Sequence, residues 1–326
     1  MAKCIVCGRR AALVVSYLRA PLCKEHFTEF FEKRFREMLE RFQMVRSGDV
    51  VAVAVSGGKD SLTTLYLMKK FSEEYGYEVF ALAIDEGIAG YREHKLKALF
   101  ELADRLGVEV YVVSFKSTFG ATLDELVIRL KEKGMVYKPC SVCGVFRRYL
   151  LNIAARELGA TKIATGHNLD DEAQGFIMNV LRAGVPNIVR EWPVSKNGHP
   201  KLVARIKPLF LTPEKESLVY SLIKGLKTPF VECPYVVYSV RHRVRRWLNE
   251  LERNRPGAKY AVIASSFLYS ISLASLKDRL PGPTTCSACG EPSSSELCKA
   301  CEFREYLGLS SGPISLKPEV YRGHKR

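Results

Sequence analysis

Six consecutive residues, Ser56-Gly57-Gly58-Lys59-Asp60-Ser61, hold the means to grip a phosphate. Glycines let backbone N–H groups come close to an anion, and a helix starting at such a turn adds a favourable partial charge. Lys59 brings a cation, and the hydroxyls of Ser56 and Ser61 bring two further donors. The spacing is not that of a Walker A loop (Gly-x4-Gly-Lys-Ser/Thr), and Asp60 follows the lysine directly, so a phosphate turn of another kind is expected. Two glycines after a strand also occur in purely structural turns; the complete string behind an apolar run is the more specific signal.

The ten cysteines divide into three groups. Cys4 and Cys7 with Cys23 and His26, and Cys286 and Cys289 with Cys298 and Cys301, come as paired x2 spacings, the pattern of closed tetrahedral Zn2+ sites. Two structural zinc ions are therefore expected, whose loss lowers stability or docking of a partner without disturbing any other metal group. Cys140, Cys143 and Cys233 remain. Three thiolates suit a [4Fe-4S] cluster with one iron left open; a dithiol with a helper thiol, and a casual CxxC beside a core cysteine, are the other readings.

These residues need a scaffold. Apolar β-prone runs at 50–55, 79–84, 108–114, 162–165 and 202–206 alternate with helical patterns at 60–71, 95–106, 123–133, 145–158 and 172–182. Such alternation predicts an α/β fold with a doubly wound parallel sheet, ligands gathering at the C-terminal ends of the strands. Residues 1–30 read as an N-terminal zinc module and 31–47 as a linking helix striped by Phe31, Phe35, Met38 and Phe42. Residues 48–212 form the catalytic domain, 213–280 a basic helical extension, and 281–326 a second zinc module with a mobile basic tail, introduced by the linker Pro281-Gly282-Pro283.

Fifty Lys and Arg against 35 Asp and Glu leave a net charge of +15, which favours a polyanionic partner, nucleic acid first. The surplus is uneven: residues 201–260 hold 13 basic and 5 acidic side chains, with Arg241, Arg243, Arg245 and Arg246 crowded together and Arg253, Arg255 and Lys259 behind them. The chain reaches Cys4 and Cys7 without an apolar leader, so a cytoplasmic protein is expected. The longest uncharged stretch, 260–276, is too short to span a bilayer and reads as a buried helix.

The string at 56–61 resembles the PP-loop (SGGxDS) of N-type ATP pyrophosphatases, which implies AMP transfer to a substrate oxygen with release of pyrophosphate. By that resemblance, Ala54, Ala83 and Asp85 at strand ends, and Gly166, His167, Asp170 and Asp171 in the segment GHNLDDEAQ, join the loop in binding ATP and Mg2+, with Asp171 the functional carboxylate. Taken with PCSVCG at 139–144, Cys233 and the two flanking zinc modules, the whole chain resembles the TtcA/TtuA family of tRNA 2-thiouridine synthetases. The resemblance implies adenylation of O2 of a tRNA uridine, the T-loop uridine ahead of the wobble uridine. AMP would then be displaced by sulfur carried on a cluster held by Cys140, Cys143 and Cys233. It further implies a thiocarboxylated ubiquitin-like sulfur carrier, no membrane partner, and a homodimer. Where relatives are expected to carry lysine, this chain has Arg147, whose charge persists but which cannot serve as a neutral base. A PP-loop ligase of another kind, lysidine synthetase-like, and a zinc-module RNA-binding factor with a relic ATP fold are the rival readings.

Overall fold

Runs such as Val50–Ala54 and Glu78–Asp85 carry apolar residues on both pleat faces, so they are stable only when both faces are covered. The computed structural model describes residues 2–195, 198–239, 241–273, 275 and 282–322. In chain order, β1 (Leu13–Val15) and β2 (Ala20–Leu22) form a hairpin that feeds α1 (Lys24–Arg41). The central unit follows: β3 (Val50–Ala54), α2 (Lys59–Tyr75), β4 (Glu78–Asp85), α3 (Arg92–Leu106), β5 (Val110–Ser114), α4 (Phe115–Phe119), α5 (Leu123–Glu132), α6 (Pro139–Glu157), β6 (Lys162–Thr165), α7 (Leu169–Val180), α8 (Val185–Arg190) and β7 (Ala204–Ile206). After these come α9 (Glu214–Ile223), α10 (Arg241–Asn254), α11 (Ala258–Ser272), the hairpin β8 (Thr284–Thr285) and β9 (Pro292–Ser293), α12 (Lys299–Tyr306) and β10 (Glu319–Tyr321).

The main sheet runs β10-β5-β4-β3-β6-β7, parallel except for β10. Ala54 stands level with both Leu82 and Thr165, so the loops leaving β3, β4 and β6 open at one edge. Because β4 and β6 flank β3 on opposite sides, that edge is the switch point where such sheets bind ligands.

Each sheet face has its own core. Val51, Val53, Ala81, Ala83, Val110 and Val112 point to one side, where Leu62, Leu65 and Met68 of α2 meet Phe27, Phe31 and Phe35 of α1. Ala52, Leu82, Ile84 and Ile163 point to the other, against Val142, Phe146 and Leu150 of α6 and Phe303 of α12. Phe31, Phe35, Phe146 and Phe303 are each essentially buried, worth about 1.5–3 kcal/mol apiece relative to exposure.

Three expectations are corrected. The helix read from Val145 begins at Pro139, because proline suits a first helical position, so Cys140 and Cys143 lie within α6 rather than ahead of it. The uncharged stretch after Tyr260 forms α11 but is not a buried helix: Ile263 and Ser266 face inward while Leu268, Tyr269 and Ile271 are exposed, because its neighbours, α7, α8 and α10 among them, cover one side of it. The tail expected to be mobile supplies β10, whose Tyr321 stacks on Phe100 and donates to Asp104 at 2.8 Å. Each cysteine-rich tetrad shares a core with one sheet face. Residues 276–280, Pro281 of the expected linker and the last four residues lie outside the described residues.

Candidate active site

The turn from β3 into α2 is shaped by its own side chains. Ser61 Oγ donates to Gly58 O (2.9 Å) and accepts from Ser56 N–H (3.2 Å), curling the loop back on the start of α2. Gly57 has φ +78°, and a Cβ there would lie 2.2 Å from the carbonyl oxygen of Lys95, so the turn tolerates only glycine. Gly166, at the end of β6, would place a Cβ 2.8 Å from Ser61 N, so the second loop touches the first backbone to backbone. Lys59 sits between Asp60 (2.9 Å) and Glu214 of α9 (2.8 Å). Burial opposes its charge, and these two carboxylates more than offset that, holding it well above the ordinary lysine range.

The aspartates of α7 separate by role. Asp170 is buried, accepts from Lys259 Nζ, and accepts from Glu214 N–H at 2.8 Å, so it ties α11 and the start of α9 to the site. Asp171 forms a reciprocal cap with Asn168 and meets Arg241 at 3.4 Å. Burial pushes its carboxyl up to about 6 even with Arg241 beside it, and together with Asp60, Glu214 and Arg245 it lines one pocket. His167 touches solvent at the cleft mouth, its Nδ1 2.9 Å from Thr165 Oγ1; the protein wall around it, then Lys207 and Arg241, push the imidazole down to about 3, so it stays neutral. Asp85 is engaged in a turn, accepting from Gly87 N–H at 2.8 Å. Ala83 is fully buried in the sheet, and its neighbours Leu82 and Ile84 line the cleft that Ala54 and Ser56 also line.

The basic stretch is only partly outward. Arg241 is taken by Asp171, Arg245 by Glu214 (3.0 Å) and Lys259 by Asp170, whereas Arg243, Arg246 and the half-exposed Trp247 stand on the outer face of α10.

Cys140 and Cys143 occupy the first turns of α6, and Cys233 comes from the strap ahead of Pro234–Tyr238, which packs on α6. Cys140 Sγ donates to Tyr235 O at 3.1 Å. All three are half-buried, and burial pushes each thiol up, Cys143 to about 12 despite Arg147 nearby. Such a pocket favours thiolates only once a soft metal supplies positive charge. In each terminal tetrad, by contrast, one donor atom per residue lies within 4.8 Å of all the others, as a tetrahedral ion such as Zn2+ requires, with His26 offering Nδ1 at 3.3 Å from Cys23 Sγ; the Cys140, Cys143 and Cys233 sulfurs do not gather that closely. Four donors within reach of one ion and three thiols spread more widely are different geometries, and the chain has both.

Two residues that no spacing rule flags join the site. Glu86, 3 % exposed, meets Arg147 Nε at 3.1 Å and Arg92 Nε at 3.3 Å, and Arg92 donates to Ser56 O at 2.8 Å. The phosphate loop and the cysteine helix are thus joined through one buried carboxylate. The one available signal was their place just after β4, at the ligand-binding edge.

A family model described as a PP-loop domain matches residues 27–246. Cytoplasmic tRNA 2-thiolation protein 1 of Chlamydomonas reinhardtii is 36% identical over 325 residues, 99% of this chain and 89% of that protein. The tRNA-5-methyluridine(54) 2-sulfurtransferase of Pyrococcus horikoshii is 34% identical over 301 residues, 92% and 93% of the two chains. The solved structure of the U34-tRNA thiolase NcsA from Methanococcus maripaludis with its [4Fe-4S] cluster matches with a TM-score of 0.81 at 33% identity, over 96% of this chain and 99% of that one. Among the described residues no helix is long and apolar enough to cross a membrane.

Proposed function

The chain belongs to the PP-loop domain family, and from that premise we propose that it is an ATP-dependent tRNA sulfurtransferase that makes 2-thiouridine. One observation carries the reading: a phosphate loop and three thiols outside both zinc tetrads meet at one sheet edge, linked through Glu86. Uridine O2 attacks the α-phosphorus of ATP and pyrophosphate leaves. Sulfur at the sulfide level then adds to the activated C2, and AMP departs with the former O2, so no oxidant is needed.

Ser56, Gly57, Gly58 and Ser61 wrap the pyrophosphate end of ATP, and Lys59 leaves its carboxylate partners for it. Asp60 and Asp171, which line one pocket, would hold Mg2+, while Asp170, tied to Lys259, holds the site together. Cys140, Cys143 and Cys233 hold the cluster, which when bound supplies an exchangeable position for sulfur. A lysidine-type ligase would leave these three thiols without a use. The outer face of α10 meets tRNA phosphates. A ubiquitin-like thiocarboxylate delivers the sulfur, the exposed Leu268 and Ile271 of α11 support a homodimer, and the likeness to a cytoplasmic tRNA 2-thiolation protein supports a place in the cytoplasm.

The test is anaerobic incubation of the reconstituted protein with ATP, a sulfide source and tRNA. AMP and pyrophosphate are expected only with tRNA, and 2-thiouridine in the digested product; ADP in place of AMP overturns the reading. Mapping the product by fragment mass spectrometry is expected to place sulfur in the T-loop, and sulfur at the wobble uridine alone would move the target while keeping the activity.

A further inference from the structure

We propose that Arg147 and Arg92, pinned by Glu86, form a subsite for the α-phosphate of the nucleotide. The inference rests on the nucleotide reading above and adds to it the group that both half-reactions share, since the α-phosphate leaves as AMP.

Glu86 is almost wholly buried, and its Oε2 makes no hydrogen bond although Arg92 Nε lies 3.3 Å away. Arg147 is anchored through Nε alone, so its two terminal nitrogens have no partner among the described residues, and its side chain is 40% exposed. Two guanidinium groups around one carboxylate leave a positive charge without a counter-ion. A planar fork with two open N–H edges is the geometry that takes two oxygens of a phosphate. Ala54, Ser56, Ile84, Arg92 and Arg147 line the same cleft, at the strand ends between the phosphate loop and the cysteine helix. Lys59, on the other side of the loop, faces Asp60 and Glu214, so the chain holds two separate cationic positions for two parts of one triphosphate. Arg92 also fixes the carbonyl of Ser56, so the position of the loop and the position of the fork depend on the same carboxylate. Glu86 acts here as a positioning residue and touches no ligand.

The full chain is titrated calorimetrically with ATP, AMP, adenosine, pyrophosphate and tRNA. The wild type is expected to bind AMP about tenfold or more tightly than adenosine. Arg147→Ala removes that preference and leaves pyrophosphate and tRNA affinities unchanged. Glu86→Gln makes the site more positive, yet is expected to weaken AMP because the fork loses its anchor; a role confined to electrostatics predicts tighter AMP. Should Glu86→Gln fail to fold, Arg147→Lys carries the same test, since it keeps the charge and loses the fork, and it is expected to recover only part of the AMP preference. Equal wild-type affinities for AMP and adenosine, with ATP still bound, overturn the subsite alone. Loss of tRNA binding in Arg147→Ala with AMP unchanged assigns the fork to a phosphodiester and also overturns it. A wild type that binds neither ATP nor pyrophosphate overturns the nucleotide reading and this inference with it.

Discussion

The two faces of the sheet carry the two helices of the proposed site, and each has its own cysteine-rich module behind it. On one face, the helix after the phosphate loop packs through Phe71 on Phe35 of α1, which grows from the N-terminal tetrad. On the other, the helix that opens with Cys140 and Cys143 packs through Phe146 on Phe303 of the C-terminal module, whose Glu291 takes both ends of the Arg156 guanidinium at 2.7 and 2.8 Å. Similar ligand sets therefore do different work. The first module backs the helix after the phosphate loop, and the second backs the helix that carries Cys140 and Cys143. Spacing alone treats them as equals.

The widest separation between the halves should appear at their reactive groups. Cys143→Ser is expected to cut thiolation more than about 100-fold while sparing AMP formation. Lys59→Ala is expected to cost adenylation about 1.5–3 kcal/mol, roughly 10- to 150-fold. Parallel AMP and 2-thiouridine assays check both, and a cysteine variant that loses both activities together would merge the halves. Next come the modules. Cys4→Ser and Cys289→Ser should each lower the melting temperature by more than about 5 °C. Spacing alone predicts no effect on another metal group from either. Because α6 packs on the C-terminal module, however, only Cys289→Ser should also lose iron from the reconstituted protein, and equal iron in the two variants would break the comparison.

A smaller effect lies on the nucleotide side alone. With its carboxyl raised to about 6, Asp171 is charged only above that pH, so adenylation should fall about tenfold per unit below it. The stability sign is opposite: a raised carboxyl favours the folded state fully below about 4, and that gain is lost as pH rises through about 6. Asp171→Asn should therefore flatten the activity limb yet melt no lower than the parent at pH 7. A variant that keeps the limb assigns it to another group. The mildest change concerns tRNA. Replacing Arg243 and Arg246 should reduce the slope of log K against log salt by about 1.4–1.8 in total, whereas Arg245, already bound to Glu214, should contribute little. Equal changes for all three would mean that the pairing breaks when tRNA binds.

The strands β3, β4, β5 and β6 were legible because burial on both faces leaves continuous apolar runs, and the zinc tetrads because ligand spacing is local. The start of α6 was not: Pro139 reads as a break as readily as a first helical residue. Three residues of β10 are too few to show a period, and their partner β5 lies far away in sequence. Charge reads as a sum, so nothing marked Arg241, Arg245 and Lys259 as turned inward on Asp171, Glu214 and Asp170. Glu86 and Arg92 belong to the same class, since a buried ion pair is defined by packing and leaves no pattern along the chain.

The antiparallel strand β10 sets a clock on folding. Its partner β5 is synthesised roughly 200 residues earlier, so at about 5–20 residues per second the outer backbone of β5 waits on the order of 10–40 s before Glu319–Tyr321 covers it. Through that interval the nascent domain presents an open sheet edge, the kind that pairs with a neighbouring chain on the same polysome. A ribosome-bound chain halted before Glu319 is thus the form of this protein most in need of a chaperone.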